Sequence, residues 1–454
     1  MGDPVEKLLE SSPEMTVARF AKAAMGTDER FFDDQVSGGL PAHAISALVL
    51  GKLRRDFIER HTTPPDKVVV TVPAHFNERQ RQATSDAARL ADLPVVGLIE
   101  EPVAAATFIA ASRKAKGDRN MLVFDLGGGT LDATLLHATA DSLYVLGSEG
   151  AANVGGRNFD QIIMDMVNSQ FRAIHGMDPP GTLDSDQRLR QYATAAKLEL
   201  SLPGQTVVRK PVTLGGITTE IVLTRSQFEN ASRLWLEACV EVCERLLESR
   251  KLNWSDVDEL SLTGGSSQLP CIMQALRASS GLPDDRIFSV HPRSSIAYGA
   301  ALLGEQLYSD KPSLAPLLRQ TVSTNELGLR ILDSATGKPV MEVLVPKNRP
   351  LPATGVKVFY VDTKLEDRVT IEVLQRKDSY CDPEILGVFS FGPLPAGCDD
   401  RPLEISVGYD SFSRTHVQVT DQLSGRNLQE IIGNQGEGDL QELKVKLSAI
   451  PLLG

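Results

Sequence analysis

The chain has 454 residues, a formal charge of −12 at pH 7 and 42% hydrophobic residues. Because a single hydrophobic core rarely grows beyond ~250–300 residues, this length predicts two or more domains. The acidic balance argues against a nonspecific nucleic-acid binder and against binding to anionic membranes. We also expect no transmembrane helix and no secretory signal, because no apolar run approaches ~18 residues and no basic segment precedes one at the N-terminus.

In the first two thirds of the chain, buried-strand patterns alternate with helical patterns, which indicates an α/β architecture. Residues 67–72 (KVVVTV) predict a buried strand, and residues 78–91 predict a polar helix with an apolar stripe. A Glu-Pro pair at Glu101 begins the next helix, where proline is tolerated because its missing N–H would have no partner. Residues 121–124 and 131–136 then predict two paired strands.

Two longer apolar stripes follow at helical spacing, over residues 159–171 and 228–246, and we assign both to the core. The second stripe contains Cys239 and Cys243, which are four residues apart, as metal ligands can be. No histidine or cysteine pair follows them at zinc spacing, so we interpret both as core thiols. The five cysteines are scattered, which favours a reduced, cytoplasmic setting over a disulfide framework.

The character of the chain changes near Ser309. Beyond it, turn signals separate short alternating or β-branched runs, which predict an all-β, sandwich-like domain. The predicted organisation has four parts: residues 1–311 as the α/β domain, residues 312–322 as a linker, residues 323–435 as the β domain, and residues 436–454 as a tail too short for another domain.

The most informative segment is residues 124–132, which reads FDLGGGTLD. Its centre consists of three consecutive glycines: Gly127, Gly128 and Gly129. Glycine lacks a Cβ and adopts positive φ readily, so the amides of such a turn can converge on an anion such as phosphate. Thr130 adds a hydroxyl, and Asp125 and Asp132 supply oxygens that suit hydrated Mg²⁺. The alternative is a plain glycine-rich hairpin with two acids beside it.

Two further glycine turns follow downstream, and each leads into a predicted helix. They contain Gly155 and Gly156 in VGGRNFD, and Gly264 and Gly265 in TGGSSQLP. The start of a helix exposes unpaired amides and the positive end of the helix dipole, which suits phosphate. Three such turns at wide spacing predict two lobes that close on one nucleotide.

With these motifs in this order, the chain resembles the seventy-kilodalton heat-shock chaperones of the DnaK type. The resemblance covers essentially residues 15–432 and includes VTVPAHFNERQRQAT, IEEPVAAA, FDLGGGTLD, VGGRNFD, TGGSSQLP and AYGAA. It implies an actin-like, two-lobed α/β ATPase domain followed by a β substrate-binding domain. It also implies ATP and Mg²⁺ as ligands, and unfolded or extended peptide segments and co-chaperones as partners.

The resemblance also implies roles for individual residues. The implied catalytic residues are Lys22, Glu101, Thr130 and Asp132. The implied nucleotide-binding residues are Asp125, Gly127, Gly128, Gly129, Thr130, Gly155, Gly156, Lys197, Ser201, Gly264, Gly265 and Ser266. Asp125 and Asp132 would hold Mg²⁺ through water. A lysine at position 22 would neutralise charge on the transferred phosphoryl group, while carboxylates would orient the attacking water.

The chain also departs from the family pattern. No DLGTT-like phosphate hairpin precedes Lys22, so we expect an incomplete first lobe, through either a late start or degeneration. At the adenine site, Thr194 replaces a glutamate, and Leu198 and Gln268 replace two arginines, so we expect weaker contacts with the base. We expect no helical lid after the β domain, so bound peptide should dissociate faster.

Three functions are therefore open. The first is an ATP-driven chaperone, whose ATP hydrolysis is implied by the resemblance but impaired if these departures matter. The second is a nucleotide-impaired, chaperone-like peptide-binding or scaffold protein. The third is a sugar kinase or filament-forming member of the wider superfamily, against which the β domain and the linker argue.

Overall fold

The computed structural model describes residues 16–33, 38–113, 118–140, 142–308, 317–333, 336–363, 367–395, 398, 400–410, 413–432 and 437–448. Residues 309–316, which hold the first part of the predicted linker, lie outside the described residues. The domain boundaries assigned from sequence therefore stay predictions.

The first lobe contains helices packed beside two small sheets. Its helices are α1 (Ala42–His61), α2 (Glu78–Leu90) and α3 (Glu101–Arg113). Its strands are β1 (Arg30–Phe31), β2 (Leu40–Pro41), β3 (Val68–Val72) and β4 (Val95–Glu100). β3 and β4 run parallel, as strands joined by a helix do. The predicted strand at 67–72 is present as β3, but of the β3 residues only Val72 is buried and the others are half-buried. The helix at 78–91 and the helix that begins at Glu101 are confirmed.

The second lobe is organised around a six-stranded sheet in the order β11-β10-β5-β6-β7-β12. The strands of this lobe and of its peripheral hairpin are β5 (Arg119–Leu126), β6 (Leu131–Ala138), β7 (Ser142–Ala151), β8 (Val207–Leu214), β9 (Ile217–Thr224), β10 (Glu259–Thr263), β11 (Ile287–Phe288) and β12 (Leu317–Gln320). β5 pairs with β6 antiparallel and with β10 parallel. β12, within the predicted linker, adds to the sheet edge beside β7.

Helices cover this sheet and bury the predicted apolar stripes. They are α4 (Gly156–His175), α5 (Leu183–Leu200), α6 (Arg225–Ala231), α7 (Arg233–Ser249), α8 (Pro270–Ser280) and α9 (Ser295–Tyr308). Phe159, Phe171 and Leu246 are fully buried in one cluster with strand residues of β5 and β6. The second stripe, predicted as one helical run, is divided at Ser232. There the hydroxyl donates to Phe228 O at 2.7 Å, a bond that competes with regular helix geometry.

The predicted β domain consists of two four-stranded antiparallel sheets, in the orders β14-β13-β16-β17 and β15-β18-β19-β20. Its strands are β13 (Glu326–Leu332), β14 (Pro339–Val345), β15 (Ala353–Val361), β16 (Val369–Arg376), β17 (Glu384–Phe391), β18 (Arg401–Tyr409), β19 (Thr415–Asp421) and β20 (Asn427–Ile431). Residues from both sheets, such as Leu327 and Leu403, share one buried cluster, which is the arrangement of a sandwich.

The predicted tail, residues 436–454, contains a helix, α10 (Glu437–Ser448). Leu440 and Leu447 are buried in a cluster with residues of α1 and α2. The β domain also contacts the first lobe, where Thr415 Oγ1 donates to Glu78 Oε2 at 3.0 Å. Among the described residues, no helix is both long and apolar enough to cross a membrane.

Candidate functional site

The three predicted glycine turns come together at the carboxyl ends of β5 and β10. The Gly156 amide donates to Gly127 O at 2.9 Å, and the Arg157 amide donates to Gly128 O at 2.8 Å. These two bonds tie the second turn to the first. Within the first turn, the Gly127 amide donates to Thr130 O at 3.0 Å. Strands of an α/β sheet present ligands at this edge, so the turns occupy the expected place for a site.

Close approach of the main chains explains why the turns consist of glycine. A Cβ on Gly155 would lie 2.5 Å from the Gly129 nitrogen, and a Cβ on Gly264 would lie 2.5 Å from Asp125 Oδ1. Gly264 also has φ +81°, which L side chains rarely adopt. By contrast, a Cβ on Gly128 would meet no atom within 4 Å. The turns therefore contact one another on one side and leave open space on the other.

Two of the predicted nucleoside contacts join this group. Lys197 Nζ donates to Gly156 O at 3.1 Å and pairs with Asp160 Oδ1 at 2.8 Å. A Cβ on Gly156 would clash with the Ser266 hydroxyl, so the third turn touches the second. The Ser201 hydroxyl instead donates to Lys197 O at 2.7 Å, and so satisfies a carbonyl at the C-terminal end of α5.

The predicted catalytic side chains form a charged cluster beside the first turn. Asp125 and Asp132 are directly opposite each other in the β5–β6 pair and are 6% and 1% exposed. Lys22 Nζ donates to Glu101 Oε1 at 2.7 Å. Burial alone would lower the pKa of Lys22, but the Glu101 carboxylate, and then Asp125 and Asp132, outweigh it and raise that pKa. Lys22 therefore stays a cation within this cluster.

The cluster has more acid than base, and its electrostatics reflect that. Burial, and then the charges of Glu101 and Asp132, raise the pKa of Asp125 to about 8, against a smaller opposing effect of Lys22. A divalent cation beside these oxygens would stabilise the ionised form. Among the residues that the structure describes, no group of three or more metal-ligating side chains is assembled. The paired carboxylates of Asp125 and Asp132 suit Mg²⁺ held largely through water and phosphate oxygens.

His75 was not among the predicted site residues, yet it contacts one of them. It lies between β3 and α2, and its Nδ1 is 2.9 Å from Asp132 Oδ1. The side chain is only 10% exposed. In the sequence it is one of seven histidines without a metal or catalytic spacing, so only the fold reveals the contact.

A cavity of about 690 Å³ lies elsewhere, between α1, α2, α10 and the β domain. Its walls mix basic side chains such as Arg30 and Arg79 with acidic ones such as Glu78 and Asp86. None of the predicted nucleotide residues lines it. Glycine turns that meet at the carboxyl ends of sheet strands are the better mark of a phosphate site, so we place the candidate site there.

Comparisons with known proteins are consistent with this geometry. Residues 19–446 match the family model described as Hsp70 protein. The "Chaperone protein DnaK" of Thermosipho africanus (strain TCF52B) is 30% identical over an alignment of 454 positions, which covers 98% of this chain and 74% of that protein. Both matches include the charged cluster and all three glycine turns.

Proposed function

The chain belongs to the Hsp70 family, and from that premise we propose that it is an ATP-dependent chaperone that hydrolyses ATP and binds extended polypeptide. One observation carries the proposal above the others. The three glycine turns converge on one space beside the cluster of Lys22, Asp125 and Asp132.

In this proposal the Gly128 and Gly129 amides hold the phosphates, because both positions face open space and amides without a covering Cβ can approach the anion closely. The Gly127 and Gly156 amides already donate to Thr130 O and Gly127 O, and so shape the turns. Lys197 and Ser266 lie on the nucleoside side of the second and third turns. Asp125 and Asp132 would orient the waters of Mg²⁺. When bound, Mg²⁺ neutralises phosphate charge and fixes the phosphate oxygens.

For hydrolysis, a water oxygen attacks the γ-phosphorus, the bond to the bridging oxygen breaks, and ADP leaves with that oxygen. Asp132 accepts the proton of the water, and the Lys22 ammonium offsets charge on the phosphoryl group. Glu101 holds Lys22 in place through their 2.7 Å ion pair. The Thr130 hydroxyl, which follows the first turn, would contact the terminal phosphate.

Peptide binding is proposed for the β domain. β15 and β17 are edge strands of their sheets, and an extended peptide can add to such an edge by main-chain hydrogen bonds. Large apolar side chains are exposed on both strands, including Val356, Tyr360 and Val388. This combination supports recognition of extended apolar segments.

A nucleotide-impaired, chaperone-like protein is the second candidate, and the base side of the site favours it. Leu198, where the family has an arginine, is 51% exposed. The Gln268 amide, where the family has the other arginine, donates to Ser289 Oγ at 3.0 Å. Neither side chain offers a guanidinium plane for stacking on a base.

ATP turnover of the intact chain tests the proposal against this alternative. We expect Asp132→Asn to lower kcat about 10²- to 10⁴-fold, because it removes the proton acceptor, with little change in ATP affinity. Asp165→Asn, a change at an exposed position of α4, should have no effect. Turnover of the wild type no higher than that of Asp132→Asn would overturn the ATPase. Absence of ATP binding by calorimetry would then favour the second candidate.

A further inference from the structure

A buried histidine contacts the proposed proton acceptor from outside the predicted site. His75 Nδ1 and Asp132 Oδ1 are 2.9 Å apart, and the side chains are 10% and 2% exposed. His75 belongs to the loop before α2 in the first lobe, whereas Asp132 belongs to β6 in the second. This hydrogen bond therefore joins the two lobes at the reacting end of the site.

The chemistry of the pair fixes which atom donates. An ionised carboxylate only accepts hydrogen bonds, so with Asp132 ionised the proton of the pair lies on His75 Nδ1. This leaves Oδ2 of Asp132 as the oxygen that can receive a proton from water. His75 Nε2 is buried and forms no hydrogen bond with any described residue. The imidazole is therefore not placed to take a proton from solvent in the cleft itself.

Packing holds the pair in this arrangement. A Cβ on Gly150 of β7 would lie 2.9 Å from Asp132 Oδ1 and 3.2 Å from His75 Nδ1, so that strand lies directly against both groups. On the imidazole side, the ring of Phe76 meets His75 edge-on, with 5.7 Å between ring centroids. These contacts hold the imidazole in place, with its Nδ1 within hydrogen-bond distance of the carboxylate.

We propose that His75 is a positioning residue for ATP hydrolysis, which holds Asp132 Oδ1 so that Oδ2 faces the attacking water. The inference rests on the proposed ATPase function. It predicts a defect in the chemical step rather than in nucleotide binding, because His75 bonds the acceptor and, among the described residues, forms no hydrogen bond with the glycine turns. Without the Nδ1–H donor, the Asp132 carboxylate could rotate and lose its alignment with the water.

Three variants of the intact chain test the role in single-turnover ATP hydrolysis. His75→Phe keeps the aromatic volume and removes the donor, and we expect it to lower the hydrolysis rate about 10-fold or more. His75→Asn places an amide N–H near the former Nδ1, and should recover most of the rate. His175→Asn on α4, whose imidazole bonds Thr219 Oγ1, is the matched control and should hydrolyse ATP at the wild-type rate. ATP affinity should stay within about twofold in all three variants.

Several outcomes would overturn the positioning role. One is wild-type hydrolysis by His75→Phe, and another is a His75→Asn variant as slow as His75→Phe. A loss of ATP affinity that matches the loss of rate would show a purely structural contact. Asp132→Asn serves as the baseline for hydrolysis. If the wild type hydrolyses ATP no faster than this variant, the ATPase proposal is wrong, and the result does not bear on His75 alone.

A spectroscopic measurement covers the case in which His75→Phe does not fold. Nitrogen-15 NMR of the wild-type chain should show the His75 proton on Nδ1, with a shift that changes in Asp132→Asn. A proton on Nε2 in place of Nδ1 in the wild type would contradict the proposal at any turnover rate. So would a His75 chemical shift that is the same in Asp132→Asn as in the wild type.

Discussion

The two halves of the candidate site consist of different parts of the chain, main chain in one and ionisable side chains in the other. The half formed by the glycine turns is main chain, fixed by hydrogen bonds such as the one from the Gly156 amide to Gly127 O. The other half is a cluster of ionisable side chains around Asp125 and Asp132, joined by ion pairs such as Lys22–Glu101. Close packing of the main chain thus determines the geometry of the first half, and electrostatic interactions determine that of the second half.

This difference decides how each half responds to change. Main-chain contacts at van der Waals distance leave no room for an added methyl group, whatever the pH or salt. The charged cluster instead responds to pH, because burial and the charges of Glu101 and Asp132 raise the pKa of Asp125 to about 8. We therefore expect steric substitutions to affect mainly the half formed by the glycine turns. Changes of pH and metal concentration should affect mainly the charged half.

The largest effect is expected for Gly155→Ala, in the contact between turns. Its Cβ would lie 2.5 Å from the Gly129 nitrogen, so the main chain must shift. We expect a loss of about 1–3 kcal/mol in unfolding free energy and at least a tenfold loss of ATP affinity, as measured by denaturant titration and calorimetry. Gly128→Ala faces open space, and should weaken ATP binding without lowering stability.

Gly51→Ala is the matched control for both glycine variants. Gly51 lies within α1, and its added Cβ would meet nothing within 4 Å. It should bind ATP as the wild type does and gain up to about 1 kcal/mol of stability from higher helix propensity. Wild-type ATP affinity in Gly128→Ala would contradict a phosphate position against the open face of the first turn.

A smaller effect is expected from pH, through Asp125. Because burial, Glu101 and Asp132 raise its pKa to about 8, Mg²⁺ must displace a proton at pH 7. The apparent Mg²⁺ affinity of the nucleotide complex should rise with pH, by up to about tenfold per unit below pH 8. Calorimetry in two buffers with different ionisation enthalpies should detect the released proton. Asp125→Asn should abolish the release, and Asp165→Asn should leave it unchanged.

The same raised pKa affects stability without ligands, and its sign can be worked out. Asp125 has a pKa of about 8 when folded and 3.8 in the reference state, so between these values the folded chain retains a proton that the unfolded chain has lost. Its contribution to unfolding free energy is therefore present below pH ~4 and is lost as pH rises through 8. Asp125→Asn should remove this part of the pH dependence. The unfolding free energy can be measured by urea titrations from pH 5 to 8. If it depends on pH in Asp125→Asn as it does in the wild type, the shift is contradicted.

The elements that could be predicted from sequence are those with a strong local pattern. The buried strand before Gly127, the paired strand after Thr130 and the helix that begins at the second glycine turn are all present. The three glycine turns were predicted to belong to two lobes that close on one nucleotide, whereas the structure places all three at one edge of the second lobe's sheet. The division of the 228–246 helical run at Ser232 was not predicted, since the apolar spacing continues across it.

Contacts between distant residues could not be predicted from local patterns. The His75–Asp132 bond joins residues 57 positions apart, and the Thr415–Glu78 bond joins residues 337 apart. Periodicity gives the face of an element but not its partner in space. The buried position of Leu440 against α1 and α2 was missed for the same reason, because it depends on how the β domain and the first lobe are arranged.

A crystal structure of the intact chain with Mg²⁺ and a nonhydrolysable ATP analogue would test most directly whether the glycine turns bind the nucleotide. We expect the triphosphate against the Gly128 and Gly129 amides and beside Gly155–Gly156, with the metal on the Asp125 side and Gly264–Gly265 toward the nucleoside. A nucleotide bound in the cavity between α1, α2, α10 and the β domain, or at separate surfaces, would contradict this expectation.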